Sequence, residues 1–224
     1  VLWEGRVVQQ RDGVNYARSG DVLHIHLEFA VMSSHAENGG LVLLSLVDIT
    51  ARKKAEAYLE SLAKHDVLTQ LRNRAFYMEE LNRLSRKGPW PLSVIAIDMN
   101  GLKTVNDEHG HAAGDAMLRR VGEVLAKAVD APACAARIGG DEFMVLLPAT
   151  DERGAQAMQE RILSLLELNN QFYPGHTIQV SMGSACAQEG AFMEAVVHRA
   201  DQEMYAQKSR FYQAREQDRR SDAA

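Results

Sequence analysis

Cysteine is scarce: Cys134 and Cys186 are the only two in 224 residues, far apart and in apolar surroundings. They match no ligand spacing, which excludes a disulfide framework and a cysteine-based zinc site and leaves two buried free thiols as the expectation. Long hydrophobic runs are missing too. No stretch approaches the ~18 apolar residues that cross a bilayer, and no basic-then-apolar leader opens the chain, so the segment reads as cytoplasmic, without a membrane partner. Basic charge falls short of acidic, with 25 Lys and Arg against 30 Asp and Glu and a net charge of -5. Binding to a phosphate backbone shows as a basic stripe, and none is visible, which argues against nucleic acid as a partner. Neither a Walker A loop nor a dinucleotide glycine fingerprint occurs. An acidic chain can still hold a nucleotide through a metal ion.

What is present supplies a buried core, with 46% hydrophobic and 25% charged residues. The length suits one domain plus something partial. The first fifty residues read as antiparallel strands: Trp3 to Gln10, a turn at Asp12-Gly13, Val22 to Met32 with alternating Leu23, Ile25, Leu27 and Phe29, a Gly39-Gly40 turn, then Leu41 to Ile49. His24 and His26 share a face that is either solvated or turned to a ligand. The order resembles the closing strands of a PAS sensory domain, including a last strand ending in Asp48-Ile49-Thr50. A helix follows from Ala51, with Thr50 as its N-cap and Ala55, Leu59, Leu62 and Ala63 near helical spacing. Strand-like sequence from Val1 suggests a larger parent protein.

From His65 onward helices and strands alternate, which predicts an α/β (α+β) sandwich with helices returning over one sheet. The pattern places helices at Asn73 to Arg86, Ala112 to Val129, Glu152 to Leu168 and Phe192 to Lys208. Strands fall at Leu92 to Met99, Ala133 to Ile138, Glu142 to Leu147 and Ile178 to Ala187. Glu216 to Ala224 is polar and expected to fray. The division expected is a partial sensory domain at 1–49, a connecting helix at 50–64, a main domain at 65–212 and a polar tail at 213–224.

Chemistry concentrates in Arg137-Ile138-Gly139-Gly140-Asp141-Glu142-Phe143. Two glycines between strands allow a sharp turn and let a phosphate-bearing ligand approach the backbone closely, although a good hairpin turn alone would have the same composition. Asp98 closes the apolar strand Val94 to Ile97. Carboxylates from two strand ends can hold magnesium, which prefers oxygen and completes its shell with substrate phosphates; Asp98 could equally cap the following helix. Lys103 offers a charge for phosphates, while Asn106 and Asp115 carry groups that can read a purine edge. His109 and His111 lack a third ligand at a zinc spacing.

Together these residues closely resemble the GGDEF family of diguanylate cyclases, over His65 to about Lys208. His65 to Arg74 is similar to the opening motif, and Asp98 to Lys103, Asn106-Asp107, Gly110-His111, Gly114-Asp115 and Gly139 to Phe143 follow in order. Ala200-Asp201-Gln202-Glu203-Met204-Tyr205 and Lys208 resemble the closing helix. The resemblance implies a palm-like central antiparallel or mixed sheet with flanking helices, similar to class III nucleotide cyclases. It implies two magnesium ions, with manganese able to substitute, held by Asp98, the Met99 carbonyl, Asp141 and Glu142. Asp141, Glu142 and Lys103 would carry catalysis, Glu142 also assisting deprotonation of a 3′-hydroxyl. Asn106 and Asp115 would read guanine, with Leu102, His111, Gly139 and Gly140 around the nucleotide and Lys208 neutralising phosphate. Relatives that accept ATP tend to lack the acid at the Asp115 position, so its presence implies GTP. Two GTP facing each other across a homodimer would give cyclic di-GMP. A non-catalytic GTP-binding signalling module is the alternative.

The chain departs from the family at three places. Asn100-Gly101-Leu102 replaces the commoner Asp-x-Phe. After Lys208 the usual Gly-Arg pair gives way to Phe211-Tyr212, which leaves Arg210 or Arg215 as a possible substitute. The inhibitory Arg-x-x-Asp falls on Asp130-Ala131-Pro132-Ala133, which implies no product-inhibition site there.

Overall fold

Alternating apolar residues in the described part of the first fifty positions form antiparallel strands. The computed structural model describes residues 6–32, 41–173 and 175–221, and the chain divides into two units between Ser61 and Leu62. In the first unit β1 (Arg6–Tyr16), β2 (Val22–Met32) and β3 (Leu41–Asp48) pair antiparallel in that order. The Asp12-Gly13 turn does not form. Both residues lie inside β1, opposite His26 and Ile25, and Asp12 Oδ1 sits 2.7 Å from His26 Nδ1 across the ladder. The reversal comes later, at Ala17–Asp21, where Gly20 takes φ +90° and Ser19 Oγ donates to Asp21 Oδ2. The Gly39-Gly40 turn lies outside the described residues. Helix α1 (Thr50–Lys64) follows β3 and buries none of its residues. Thr50 is not its capping side chain: Thr50 Oγ1 accepts the His24 N–H, and Asp48 Oδ1 accepts the Thr50 N–H.

The second unit is built on a four-stranded antiparallel sheet in the order β5-β6-β4-β7, from β4 (Leu92–Met99), β5 (Cys134–Gly139), β6 (Glu142–Leu147) and β7 (Val180–Ala187). Every residue of β4 is buried, because helices cover both faces; this is why the strand reads as a near-continuous apolar run. Strand alternation divides β4 between two cores. Ile95, Ile97 and Met99 meet α4 (His111–Ala128) and α5 (Glu152–Phe172) through Val121, Leu125 and Ile162. Val94 and Ala96 meet α2 (Arg74–Lys87) and α6 (Met193–Ser221) through Leu81, Leu84, Val196 and Ala200. Each fully buried valine, leucine or isoleucine among them contributes about 1.5–3 kcal/mol.

Both outer strands of this sheet are partly covered on their open side. On β7, Gln207 Oε1 accepts the Met182 N–H and Glu203 Oε2 accepts the Ser184 N–H. Gly183 lets α6 come this close: a β-carbon there would stand 2.2 Å from the Ala200 carbonyl oxygen and the Met204 nitrogen. On β5, Arg72 donates its N–H to the Ala135 carbonyl and accepts the Arg137 N–H.

Three further differences from expectation concern the second unit. A short helix, α3 (Leu102–His109), stands before α4; with few apolar residues and Gly101 as its left-handed N-cap, it has little periodic signal. Helix α6 runs 29 residues, so Glu216 to Ser221 continue a helix instead of fraying. Cys134 and Cys186 are half-buried free thiols; burial raises the Cys134 thiol to about 11. No helix among the described residues is long and apolar enough to cross a membrane.

Candidate active site

Asp98 and Glu142 are direct partners in the β4–β6 ladder and therefore project from the same sheet face, the one covered by α2 and α6. The β5–β6 hairpin turns at Gly139 and Gly140, both exposed, with Gly140 at φ +50°; a β-carbon on either would meet nothing within 4 Å, so packing does not demand glycine there and the space above the turn is open. The Met99 N–H donates to the Asp141 carbonyl at 3.1 Å, which brings the signature acid to the end of β4. A groove of about 400 Å³ between α2 and α6 reaches Glu142 and is lined by Tyr77, Met78, Ile138, Val197 and Met204.

Asp98 is 5% exposed. Burial raises its pKa; Lys208 opposes that rise, while Asp141 and Asp201 add to it. Lys208 Nζ lies 2.6 Å from Asp98 Oδ1, yet its direction is not that of a hydrogen bond, and Oδ1 has no directed donor. Burial works against the charge on Lys208; Asp98 and then Asp141 overcome it and hold the lysine above its usual pKa. The site thus keeps a desolvated carboxylate oxygen beside a cation, with two further acids within electrostatic reach. Asp98 does not cap α3, whose N-cap Gly101 offers no side-chain bond. Asn100 turns inward instead, its Oδ1 accepting from the buried Ser181 Oγ, so it is tied into the sheet.

The signature turn is held from a distance. Arg137 donates through Nε and Nη2 to the Gly140 carbonyl, at 3.1 and 2.8 Å, and its Nη1 reaches Asp66 Oδ1 at 3.2 Å. Asp66 Oδ1 also accepts from the N–H and hydroxyl of Thr69. Burial would raise the Asp66 pKa, but Thr69 and Arg137 together hold it below the ordinary carboxylate value. The two motifs lie 71 residues apart, and nothing local in the sequence signals that one braces the other.

The other expected residues sit on the α3–α4 hairpin. Asn106 Oδ1 is buried without a partner, and a β-carbon on Gly114 would stand 2.1 Å from it, so glycine at 114 makes room for the amide. Asp115, next in the chain, is half-buried, with Arg119 at 4.0 Å. Leu102 is 8% exposed and belongs to the core with Met117 and Leu118. Lys103 and His111 are exposed on the same hairpin. Beyond them, the Tyr212 hydroxyl accepts the Gly101 N–H at 3.1 Å.

Residues 63–213 match the family model described as diguanylate cyclase, GGDEF domain. The chain belongs to the GGDEF family. Its second unit has that family's palm-like fold: the coiled coil and GGDEF domain of DgcB from Caulobacter crescentus, a structure in complex with c-di-GMP, aligns with a TM-score of 0.65 at 26% identity over 72% of this chain and 88% of that one. An uncharacterized signaling protein of Caulobacter vibrioides is 36% identical over 184 residues, 78% of this chain and 22% of its own length. The probable diguanylate cyclase DgcE of Escherichia coli is 32% identical over 207 residues, 89% of this chain and 19% of its own length. The chain therefore spans about a fifth of these two relatives. As a GGDEF domain it carries both signature glycines and both signature acids, Asp141 and Glu142.

A divalent cation fits the Asp98 end of this site in kind. The donors are all oxygen, and one carboxylate oxygen is buried without a directed partner. Among the described residues no three acidic, imidazole or thiol side chains converge as a metal cluster. The structure thus does not bring the Asp98, Asp141 and Glu142 side chains together as a ready ligand set; magnesium takes one or two carboxylates from a protein and draws its remaining ligands from water and phosphate.

Proposed function

We propose that this GGDEF domain is a diguanylate cyclase, joining two GTP molecules into cyclic di-GMP with release of two pyrophosphates. The observation that carries the reading is the buried Asp98 carboxylate, with an oxygen lacking a directed donor, directly across the ladder from Glu142 and beside Lys208. Asp98, Asp141, Glu142 and the Met99 carbonyl would hold two magnesium ions. Bound there, the cations would neutralise charge on the phosphates and on the attacking and leaving oxygens.

The chain's own groups supply the rest. Lys208 stands at Asp98 and offsets phosphate charge at the reacting end. Glu142, exposed at the start of β6, accepts the proton of a 3′-hydroxyl as its oxygen attacks the α-phosphorus of the other GTP. Pyrophosphate leaves as that bond forms. Lys103 adds charge near the phosphates, and Asn106 with Asp115 reads the guanine edge, a carboxylate accepting from N1–H and the exocyclic amine. Because each subunit holds one GTP, two copies must face each other. Exposed Tyr58 and Leu59 on α1, 64% exposed each, offer one surface for that pairing, and the PAS-like sheet before α1 would govern it.

The test is incubation of purified protein with GTP and magnesium, followed by separation of the nucleotides. Cyclic di-GMP and pyrophosphate in a 1:2 ratio, with specific activity rising as protein concentration rises, is the expected result. GTP bound but recovered unchanged would establish a non-catalytic module instead.

A further inference from the structure

Tyr77, Met78 and Leu81 fall on one face of α2, and Val197, Asp201 and Met204 on one face of α6, at spacings of three and four residues. The two faces leave between them the groove of about 400 Å³, with Met144 of β6 also in its wall. That is the size of a small-molecule site. The proposed cyclase reaction uses only Glu142 of its lining.

The lining is of two kinds. Tyr77 is only 4% exposed, and its hydroxyl is buried without a hydrogen-bond partner. Burial raises its pKa, so it stays a neutral hydroxyl able both to donate and to accept. Three thioethers, Met78, Met144 and Met204, line the same space, and methionine sulfur packs favourably against aromatic rings. At the rim the character changes: Glu142, Glu194 and Asp201 are exposed carboxylates, with Arg74 and His198 as the other ionisable groups. None of the three carboxylates forms an ion pair among the described residues. Glu142 and Asp201 both flank Asp98, one as its ladder partner and the other close enough to act on its charge. An apolar wall with one unmet hydroxyl therefore opens onto an acidic mouth.

We infer that this groove is a binding site for a small aromatic amine, with its ring against the methionines, a polar ring edge at the Tyr77 hydroxyl and its ammonium at Asp201 and Glu142. The ammonium supplies charge-assisted hydrogen bonds that a neutral or acidic analogue lacks. Once bound, it holds the Glu142 carboxylate and slows turnover. That consequence rests on the reading of Glu142 as the base of a cyclase; the binding does not.

The experiment is titration of the whole chain, carrying isotope-labelled methionine methyl groups, with tryptamine, which is protonated at neutral pH. Two indoles of the same ring serve as comparisons, tryptophol ending in a hydroxyl and indole-3-propionate in a carboxylate. Tryptamine is expected to shift the Met78, Met144 and Met204 methyl resonances along one saturable curve, while Met117 and Met158, in the core on the other sheet face, hold still. It should bind about 10-fold tighter than tryptophol, and indole-3-propionate should bind more weakly than either. Asp201→Asn should weaken tryptamine about 3- to 10-fold and leave tryptophol unchanged, whereas Tyr77→Phe should weaken both by about that factor. No saturable shift at the three methyls, equal affinity for the three indoles, or wild-type tryptamine affinity in Asp201→Asn would overturn the site. Cyclic di-GMP formation should fall in proportion to occupancy, and tryptamine bound to active protein without slowing it would overturn the link to Glu142. A chain that makes no cyclic di-GMP would end the cyclase reading, while the methyl shifts still decide the groove.

Discussion

Asp98 and Glu142 face each other across two paired strands, and only one of them is buried. Burial raises the Asp98 pKa, so the folded protein binds that proton more readily than the unfolded chain does. The cost of the ionised carboxylate is present above the raised pKa and disappears as pH falls through it. Asp98→Asn removes this pH-dependent cost, so the variant's melting temperature should gain on that of the wild type as pH rises through the raised pKa. The gain should shrink as pH falls toward the ordinary carboxylate range. Magnesium with nucleotide should raise the melting temperature of the wild type but not of the variant. Thermal melts at several pH values, with and without magnesium, check all three outcomes.

Arg137→Ala removes the brace between Asp66 and the Gly140 carbonyl. A loss of about 1.5–3 kcal/mol is expected from these charge-assisted bonds. The Asp66 pKa is depressed in the fold, so its stabilisation is present above about pH 4 and is lost as pH falls through the folded value. Urea denaturation between pH 2 and 7 should show a flatter acid limb in the variant. Product formation should fall as the turn loosens, and Arg137→Lys should not restore it, because lysine cannot bridge both acceptors with one planar fork.

Gly183→Ala puts a β-carbon into the backbone of α6, at 2.2 Å from two of its atoms. The helix must shift, at a cost of about 1–3 kcal/mol measurable by denaturant unfolding. The shift should also carry Lys208 away from Asp98 and lower turnover, although neither residue is changed. Wild-type stability in this variant would contradict the packing described.

Asp115→Ala should relax discrimination between GTP and ATP, measured as the ratio of kcat/KM for the two. Gly114→Ala should act in the same direction by displacing the Asn106 amide, whose oxygen stands 2.1 Å from the new β-carbon. An unchanged ratio in both variants would detach the α3–α4 hairpin from base recognition. Asp141→Ala, which removes a proposed metal ligand and leaves the hairpin glycines in place, should abolish product without altering the fold.

The sheet of the second unit was legible because β4 and β6 are covered on both faces and so carry apolar side chains at nearly every position. Helix α2 was legible from its pattern, and in the fold its start is fixed by Asn73, whose Oδ1 accepts the Phe76 N–H. Asp12-Gly13 misled because local turn chemistry lost to a cross-strand partner, His26. Helix α3 was missed because Leu102 and Val105 are too few to show a period, and the end of α6 because Glu216 to Ser221 has no apolar face at all. The brace on the signature turn could not be read from local sequence, since Asp66 and Arg137 are 71 residues apart and meet only once the sheet forms. Asn100 is a similar case: the sequence marks it as a lost acid, whereas the fold uses it to bind Ser181.

Two outer N–H groups of β7 are taken by Gln207 and Glu203, and one C=O and one N–H of β5 by Arg72, so part of each margin of the palm sheet is already occupied against strand-by-strand growth. An encounter between two copies is thereby steered toward turns and helices, where the loops after β4 and β5 lie, and away from the sheet margins.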